Sequence, residues 1–240
     1  IIAGGRGSRL EGSEDNKPKS LLEVRGRSLL EYSLSALDQA GMPQTTLVIG
    51  YKGEMIREKI GHSYGNMLIN YVEDREIIGT MNALALALPS QDGEDCLVLD
   101  GDLVYNPAMI PRVLNDGRRN LAFLTECCGN GDETFALLEE DSRIKYLSLN
   151  KNMDRSLITE DEVYEFNGVS KFSEEFLREM MQAHLVKKAE GDPTDYYEEC
   201  AFSVGEIMPW YGLVDLSIGI AEVDRPSDVE RAEKLLDSLS

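Results

Sequence analysis

The chain opens on Ile1-Ile2-Ala3-Gly4-Gly5-Arg6-Gly7-Ser8-Arg9-Leu10, an apolar strand end that runs directly into a glycine-rich turn. Glycines let a backbone coil tightly enough to aim several N–H groups at one anion. Arg9 and, further along, Lys19 add the positive charges that suit a polyphosphate. The stretch therefore predicts a nucleoside triphosphate site at the end of the first strand. Because strand residues already stand at position 1, we expect the natural protein to begin earlier.

Two common phosphate-binding patterns do not match this turn. No Gly-Lys-Ser/Thr follows the glycines, which excludes the Walker pattern, and G-x-G-x-x-G fails at its last position. What remains is G-G-x-G-x-R followed by the Pro18-Lys19 pair. This arrangement resembles the nucleotidyltransferases that activate sugars and small alcohol phosphates.

Composition narrows the range of partners. The 240 residues include 44 acidic and 24 basic side chains, for a formal net charge of −20. Such a charge repels nucleic acid and anionic membranes, so we expect neither as a partner. A phosphate-binding site on such a negatively charged protein needs local cations and a divalent metal ion. The 4 cysteines show no C-x-x-C spacing and no 18-residue apolar run is present, which together favour a cytoplasmic protein.

The first half of the chain alternates strand-like and helical stretches. Strands are predicted near 1–3, 45–49, 68–72, 96–99 and 121–125, and helices near 29–40, 54–60, 81–88 and 108–114. This alternation predicts an α/β fold of three layers, Rossmann-like, with a mixed and mostly parallel sheet and helices on both faces. The expected type is that of the nucleotide-diphospho-sugar transferases.

The second half has a different pattern. Strand-like stretches at 135–139, 143–149 and 163–172 precede a long helix at 174–188, a helix near 196–202 and a strand at 217–223. The final helix is predicted to begin at Pro226, with Ser227 as its cap. We expect a single domain over 1–240, with a nucleotide-binding half at 1–128 and an acceptor-binding half at 129–240.

Two aspartates follow apolar strands. Asp102 ends the run Leu97-Val98-Leu99-Asp100-Gly101-Asp102, and Asp224 ends the strand near 217–223. Ligands of open α/β sheets bind at the carboxyl ends of strands, and carboxylate oxygens there suit Mg²⁺. We therefore predict that Asp102 and Asp224 converge on one Mg²⁺ ion, with Asp100 either assisting or capping.

The chain resembles the nucleotidyltransferase superfamily with a Rossmann-like core, and within it the small cytidylyltransferases that act on phosphocholine or aminoethylphosphonate. Four stretches carry the resemblance in the family's order: AGGRGSRL…KPKSLLEV, GTMNALALAL, LDGDLVYNP and VDRPSDVERAEKL. Together they span nearly the whole chain. Ala3-Gly4-Gly5 replaces the more frequent Ala-Ala-Gly and also occurs in guanylyl- and molybdopterin-type relatives, so the preferred base stays open.

The resemblance implies roles for individual residues. Arg9 and Lys19 would hold the phosphates, and Asp102 and Asp224 would bind Mg²⁺. Nucleotide contacts would come from the first turn, from the turn after the fourth strand and from a turn beside the base, with these members: Ala3, Gly4, Gly5, Gly7, Ser8, Arg9, Gly101, Gly79, Thr80 and Asn82.

The acceptor is expected to bind the second half of the chain. Tyr196, Tyr197 and Glu198 place aromatic rings beside a carboxylate, and Tyr164 lies on a predicted strand. Aromatic faces and carboxylates attract ammonium groups, which favours a phosphorylated amino alcohol or phosphonate. Trp210 and Tyr211 are further candidates for the pocket wall. A sugar 1-phosphate remains the alternative acceptor.

The predicted reaction is in-line attack of the acceptor phosphate on the α-phosphorus of the nucleotide, with CTP favoured and pyrophosphate as the leaving group. Lys19, Arg9 and Asp102 are the predicted catalytic residues. A catalytically silent, nucleotide-sensing module is the alternative from another class of protein. Monomer and homodimer are both compatible with the sequence.

Overall fold

The computed structural model describes residues 1–5, 17–88, 94–127, 129, 133–149, 163–191 and 196–239. Fourteen strands are present in these ranges: β1 Ile2–Ala3, β2 Glu23–Val24, β3 Arg27–Ser28, β4 Gln44–Ile49, β5 Ser63–Tyr64, β6 Met67–Glu73, β7 Cys96–Leu99, β8 Leu103–Tyr105, β9 Leu121–Thr125, β10 Thr134–Leu138, β11 Ile144–Leu149, β12 Val163–Phe172, β13 Tyr211–Val214 and β14 Ile220–Glu222.

Seven α-helices and one 3₁₀ turn occupy the same described ranges. The helices are α1 Leu29–Gln39, α2 Gly53–Ile60, α3 Thr80–Ala87, α4 Met109–Leu114, α5 Glu174–Ala189, α6 Tyr197–Gly205 and α7 Pro226–Ser238, and the 3₁₀ turn is Lys19–Leu21. Among the described residues, no helix has both the length and the apolar character needed to cross a membrane.

The strands form a mixed sheet around β1. On one side β1 pairs in parallel with β4, and β4 pairs in parallel with β6. On the other side, a parallel bridge from Ile2 to Asp100 joins β1 to the end of β7. β7 pairs antiparallel with β12, and β12 also pairs antiparallel with β9. β9 in turn pairs in parallel with β13. The carboxyl ends of β1, β4, β6 and β7 therefore lie along one edge of the sheet.

Alternating side chains on these strands fill two cores, one on each face of the sheet. Leu99 and Phe123 belong to the core that contains α1, α2 and α4. Their neighbours Val98 and Leu124 belong to the core that contains α3, α5 and α6. Successive residues of a strand point to opposite faces, so one apolar run serves both layers. The predicted three-layer α/β fold with a mixed sheet and helices on both faces is confirmed.

Local sequence explains where the helices begin, with one correction. Ser28 and Glu31 bond each other at the start of α1, and the Ser173 hydroxyl accepts from the Phe176 N–H at the start of α5. Pro226 is the first residue of α7, as predicted, but Ser227 is not its cap. Instead the Asp228 carboxylate accepts from the backbone N–H groups of the two residues before Pro226. An acidic side chain satisfies both donors there and favours the helix dipole.

Five short strands, β2, β3, β5, β8 and β13, were not anticipated from the sequence. β8 has only three residues, Leu103–Tyr105, and follows β7 after the three residues 100–102. β13 begins at Tyr211, which the sequence offered as a pocket wall. Strands this short carry too little alternation to be recognised before their pairing partners are known. The strand predicted at 217–223 is shorter in the structure, where β14 spans Ile220–Glu222.

Candidate active site

Pairing between two short strands brings three carboxylates together. Asp102 lies between β7 and β8, and β8 pairs antiparallel with β14 so that Leu103 is opposite Glu222. The Val223 N–H donates to the Asp102 carbonyl at 3.1 Å, which ties the two strand ends to each other. One oxygen from each of Asp102, Glu222 and Asp224 then lies within 4.8 Å of the others. We call these three residues the carboxylate cluster.

Lys19 reaches into the carboxylate cluster from the 3₁₀ turn. Its Nζ lies 2.5 Å from Asp102 Oδ2 and 3.8 Å from Glu222 Oε1, and it also donates to Asp224 Oδ1. The lysine side chain is 10% exposed, against 20% for Asp102 and 19% for Asp224. The structure therefore brings together three residues predicted from distant parts of the sequence.

Charge at the cluster changes the proton affinity of its members. Burial by itself lowers the pKa of the Lys19 ammonium, but Asp102, Glu222 and Asp224 outweigh it and hold that pKa well above its usual range. Burial, together with the charges of Asp102 and Asp224, raises the pKa of Glu222 to about 8. One ammonium therefore does not neutralise the three carboxylates, and the cluster keeps an affinity for further positive charge.

The donor set fits a hard divalent cation. All three side chains supply carboxylate oxygens, the ligands that Mg²⁺ takes in proteins. Asp102 Oδ1 is buried and makes no hydrogen bond within the described part of the chain, so one coordinating atom is available. Glu222 was missed from the sequence. Its position two residues before Asp224, at the end of the predicted strand, was the available signal, because residues i and i+2 of an extended segment share a face.

Asp100 lies beside the cluster and is not one of its three members. Its N–H donates to the Gly168 carbonyl at 2.9 Å, and a Cβ on Gly168 would meet Asp100 Oδ2 at 2.1 Å. Burial, followed by the charge of Asp102, raises the pKa of the Asp100 carboxyl well above its usual range. The close backbone of Gly168, where φ is +70°, therefore limits the position of Asp100.

The first turn lies at the same edge of the sheet. Gly5 is exposed, and a Cβ there would meet nothing within 4 Å, whereas Ala3 is 4% exposed and belongs to the core. A Cβ on Gly4 would meet the Gly50 nitrogen at 3.3 Å, and one on Gly101 would meet the Ile2 carbonyl oxygen at 2.8 Å. Neighbouring backbone therefore already accounts for glycine at these last two positions. Gly7, Ser8 and Arg9 lie outside the described residues.

The predicted base-side residues lie at the start of α3. Gly79 precedes the helix, and Thr80 Oγ1 accepts from the Tyr197 N–H at 3.0 Å, which links α3 to α6. Asn82 is 5% exposed and donates to Asp74 Oδ1 at 3.1 Å. Thr80 and Asn82 therefore both have structural partners, and their contacts with a nucleotide stay a prediction.

The predicted acceptor residues separate into exposed and buried ones. Tyr196 is 46% exposed, and Tyr164 and Glu198 are half-buried. Tyr197 is completely buried, with its ring edge-on to Phe166 and Phe172. Since Tyr197 is packed inside the core, we drop it from the acceptor site. Trp210, at 1% exposure, is a core residue for the same reason.

A cavity between β11 and α6 adds residues that the sequence did not single out. Glu198 and Phe202 of α6 line it, together with Thr134 at the start of β10 and Ser148 of β11. Glu199, Ser203 and Lys187 also line it, so two carboxylates, one ammonium group, an aromatic ring and three hydroxyls surround one space. Glu198 is also close enough to Asp100 to raise its pKa, so the cavity and the carboxylate cluster lie in the same region.

Comparison with known proteins gives relatives of two substrate types. The chain is 34% identical over 114 residues to the CMP-5'-(3-aminopropyl)phosphonate synthase of Streptomyces rubellomurinus, covering 47% of this chain and 18% of that protein. It is 30% identical over 128 residues to the UTP–glucose-1-phosphate uridylyltransferase AglF of Haloferax volcanii, covering 52% of each protein. The matched stretch thus spans at most about half the length of these curated relatives.

A solved structure supports the fold over the full length. The CTP:phosphocholine cytidylyltransferase of Streptococcus pneumoniae superposes with a TM-score of 0.74 at 20% identity, covering 98% of this chain and 97% of that one. The family model described as the MobA-like NTP transferase domain matches residues 1–156, which include the first turn, Lys19 and Asp102. The predicted superfamily is confirmed, and the chain belongs to the MobA-like NTP transferase family.

Proposed function

We propose that the protein is a Mg²⁺-dependent nucleotidyltransferase that moves a nucleoside monophosphate, with CMP favoured, from the triphosphate to a phosphorylated small amino alcohol or phosphonate. Membership of the NTP transferase family supports the reaction class. The observation that carries the proposal is the Lys19 ammonium among the carboxylates of Asp102, Glu222 and Asp224. This arrangement supplies a cation and a site for a divalent metal at the edge of the sheet where phosphates are expected.

The chain's own residues would position and neutralise the reactants. An oxygen of the acceptor phosphate or phosphonate forms a bond to the α-phosphorus, the bond from that phosphorus to the β-phosphate oxygen breaks, and pyrophosphate leaves. Lys19, which is 10% exposed, would neutralise negative charge on the phosphates as they enter. Asp102, Glu222 and Asp224 would hold the metal ion. A bound Mg²⁺ would supply positive charge that neutralises the phosphates.

A basic side chain is not required to activate the acceptor, because a phosphate or phosphonate oxygen is already anionic near neutral pH. The expected catalytic residues therefore remain Lys19, Asp102 and Arg9, and the last of these lies outside the described residues. Ala3, Gly4, Gly5, Gly7 and Ser8 stay proposed contacts of the nucleotide.

The cavity beside α6 supports a cationic acceptor. Its two carboxylates, Glu198 and Glu199, outnumber the single ammonium of Lys187, and together with the Phe202 ring they attract an ammonium ion. We propose that Glu198, with Tyr164 and Tyr196, binds the amine end of the acceptor. The Streptomyces relative, named as a synthase of a CMP-aminopropylphosphonate, agrees with both cytosine and an amine-bearing acceptor.

A sugar 1-phosphate is the second candidate acceptor, favoured by the likeness to the Haloferax uridylyltransferase. Glu165 and Asn167 of β12 are residue types that bind sugar hydroxyls, and they are 4% and 5% exposed. The Asn167 amide, however, donates to Thr125 Oγ1 at 2.7 Å and to the Glu165 carbonyl at 3.0 Å. Its two N–H donors are thus already used within the protein, which favours the amine-bearing acceptor.

The first test measures pyrophosphate release in the presence of Mg²⁺. CTP, UTP, GTP, ATP and dTTP are each combined with phosphocholine, phosphoethanolamine, aminoethylphosphonate and a panel of sugar 1-phosphates. We expect release with CTP and an amine-bearing acceptor. Release with sugar 1-phosphates alone would favour the second candidate, and nucleotide binding without any release would favour a silent sensing module. Since nucleoside triphosphates are a cytoplasmic pool, the proposed reaction belongs in the cytoplasm.

Two variants connect turnover to the carboxylate cluster. Asp102→Asn keeps the shape of the side chain and removes its charge, and we expect it to abolish turnover while the protein stays folded. Asp141→Asn makes the same chemical change in an exposed pair with Arg143 and should leave turnover unchanged. Near-normal kcat for Asp102→Asn at saturating Mg²⁺ would refute the proposed role of the cluster.

A further inference from the structure

One buried carboxylate outside the cluster organises a loop at the active edge of the sheet. Asp74 follows β6 and is 3% exposed. Its Oδ1 accepts three hydrogen bonds, each 3.1 Å long, from the Glu76 N–H, the Ile77 N–H and the Asn82 side chain. The first two lie in the loop between β6 and α3, and the third lies on α3. One side chain therefore fixes the loop to the helix that follows it.

The loop at 75–79 is held in a conformation that its own residues do not favour. Ile77 has φ of +51°, a left-handed value that is costly for a β-branched residue. Such a conformation persists only where surrounding contacts impose it. The hydrogen bond from the Ile77 N–H to Asp74 is a contact of this kind. A second support comes from α5, whose Lys188 Nζ lies 3.4 Å from Glu76 Oε2 and 3.5 Å from Asn82 Oδ1.

The position of the loop relates it to the nucleotide. The Asp74 N–H donates to the Ile49 carbonyl at the end of β4. A Cβ on Gly50 would meet both the Gly4 carbonyl oxygen, at 2.8 Å, and the Asp74 carbonyl oxygen, at 3.0 Å. The Asp74 carbonyl, where the loop begins, thus lies across Gly50 from the Gly4 carbonyl of the first glycine turn. It lies on the β4 and β6 side of β1, whereas the carboxylate cluster follows β7 on the other side.

We propose that Asp74 is a positioning residue that presets the loop at 75–79 as one wall of the nucleoside subsite and so sets the preference among bases. The inference rests on the proposed function, because it takes the triphosphate to lie between the first turn and the cluster. A nucleotide held there by its phosphates has its nucleoside to one side of the first glycine turn. The loop at 75–79 lies on the side of that turn where β4 and β6 end. Asp74 acts through the loop's backbone and does not touch the substrate.

The test compares Asp74→Ala with the conservative variant Asp74→Asn. The alanine removes all three acceptor bonds, whereas the amide oxygen of asparagine preserves an acceptor for the two backbone N–H groups. Asp38→Ala is the matched control, because the Asp38 carboxylate likewise accepts from a backbone N–H, that of Asn66 at 2.9 Å, in the turn before β6. That turn lies at the opposite end of the strand from Asp74.

Three readouts separate positioning from a general structural role. In Asp74→Ala we expect faster hydrogen exchange at residues 75–79 and a KM for the preferred nucleotide about tenfold higher. The base ratio, defined as kcat/KM for the preferred nucleotide divided by kcat/KM for the others, should fall by about tenfold as well. The acceptor KM and the kcat should stay within about twofold. Asp74→Asn should recover most of the loss, and Asp38→Ala should show none of it.

Two results would overturn the inference. The first is an unchanged base ratio and nucleotide KM despite faster exchange in the loop, and the second is unchanged exchange in the loop. If Asp74→Ala does not fold, Lys188→Ala is the substitute, since this side chain is 44% exposed and removes only the outer support. It should then shift nucleotide KM and base ratio in the same direction by about two- to threefold, and an unchanged ratio would again refute the inference.

Failure of the proposed function is recognised separately. It would appear as absence of pyrophosphate release by the unmodified protein with every substrate pair. In that case equilibrium titrations with the five nucleoside triphosphates replace the kinetic readout. A loss of base preference in binding by Asp74→Ala would still support the inference, and an unchanged preference would refute it.

Discussion

Replacing Lys19 by methionine removes the positive charge from the carboxylate cluster while keeping a side chain of similar length. The three carboxyl groups, with oxygens within 4.8 Å of one another, then lose the cation that offsets the repulsion among them. Breaking a fully buried ion pair costs about 3–5 kcal/mol, whereas an exposed one contributes about 0–1 kcal/mol. Asp102 and Asp224 are 20% and 19% exposed, so we expect an intermediate loss.

The expected loss is about 2–3 kcal/mol in the free energy of unfolding. For a chain of this size it corresponds to a Tm lower by roughly 5–10 °C in metal-free buffer. Lys59→Met is the matched control, because Lys59 also lies between two carboxylates, 3.3 Å from Glu23 and 3.4 Å from Glu31, but is 35% exposed. Its loss should stay below about 1 kcal/mol.

Divalent metal provides the second half of this prediction. A ligand at a concentration of about 100 times its Kd stabilises the folded state by about 2.7 kcal/mol. Mg²⁺ or Mn²⁺ should therefore restore most of the Tm of Lys19→Met, and should stabilise this variant more than the unmodified protein, in which the ammonium competes for the same oxygens. Thermal melts across a metal titration measure both effects. A Lys19→Met variant that melts like Lys59→Met, or that does not respond to metal, would refute the reasoning.

Three further predictions concern the surroundings of the cluster. Gly168→Ala combines a φ of +70° with a Cβ 2.1 Å from Asp100 Oδ2, so thermal melts should show a free energy of unfolding lower by about 2–3 kcal/mol. The control Gly26→Ala, with a φ of +75° and nothing within 4 Å of the added Cβ, should lower it by only about 1 kcal/mol. Asp228→Ala removes the acceptor at the start of α7 and should cost about 1–2 kcal/mol in urea unfolding, whereas Asp237→Ala, in an exposed pair with Arg25, should cost less than about 0.5 kcal/mol. Arg118 hydrogen-bonds Asp116 and lowers the pKa of the Asp116 carboxyl from 3.8 to about 2, so the unfolded chain binds this proton at a higher pH than the folded protein does. The stability that Asp116 contributes is therefore present above pH 3.8 and is lost as the pH falls toward 2. Acid unfolding curves of Asp116→Asn should lack this pH dependence.

The carboxylate cluster depends on pairing between two short strands, which could not be recognised from the sequence. β8 and β14 have three residues each, yet their pairing places Glu222 opposite Leu103 and Asp224 next to Asp102. Lys19 was recognised from its place after the glycine-rich turn. Its contact with Asp102 joins positions 83 residues apart, and no local pattern encodes a contact of that kind.

Local sequence was sufficient wherever one segment carries its own physical signal. Apolar alternation predicted strands that the structure contains, and the position of Asp102 and Asp224 after apolar runs predicted two carboxylates that the structure brings close together. Helix periodicity, with proline at the first position of α7, located the helices to within a few residues. These features depend on backbone freedom and on side-chain period, which are properties of the segment itself.

Tertiary structure decided everything that depends on which segments meet. β12 lies between β7 and β9, antiparallel to both, because its residues find partners far away in the chain. Tyr197, which resembles a pocket residue in the sequence, is buried by Phe166 and Phe172, since an aromatic ring fits a core and a binding site equally well until its neighbours are known. Glu222 joins the carboxylate cluster for the same reason: proximity in space is a property of the packed chain, and sequence spacing encodes it only within one helix or strand.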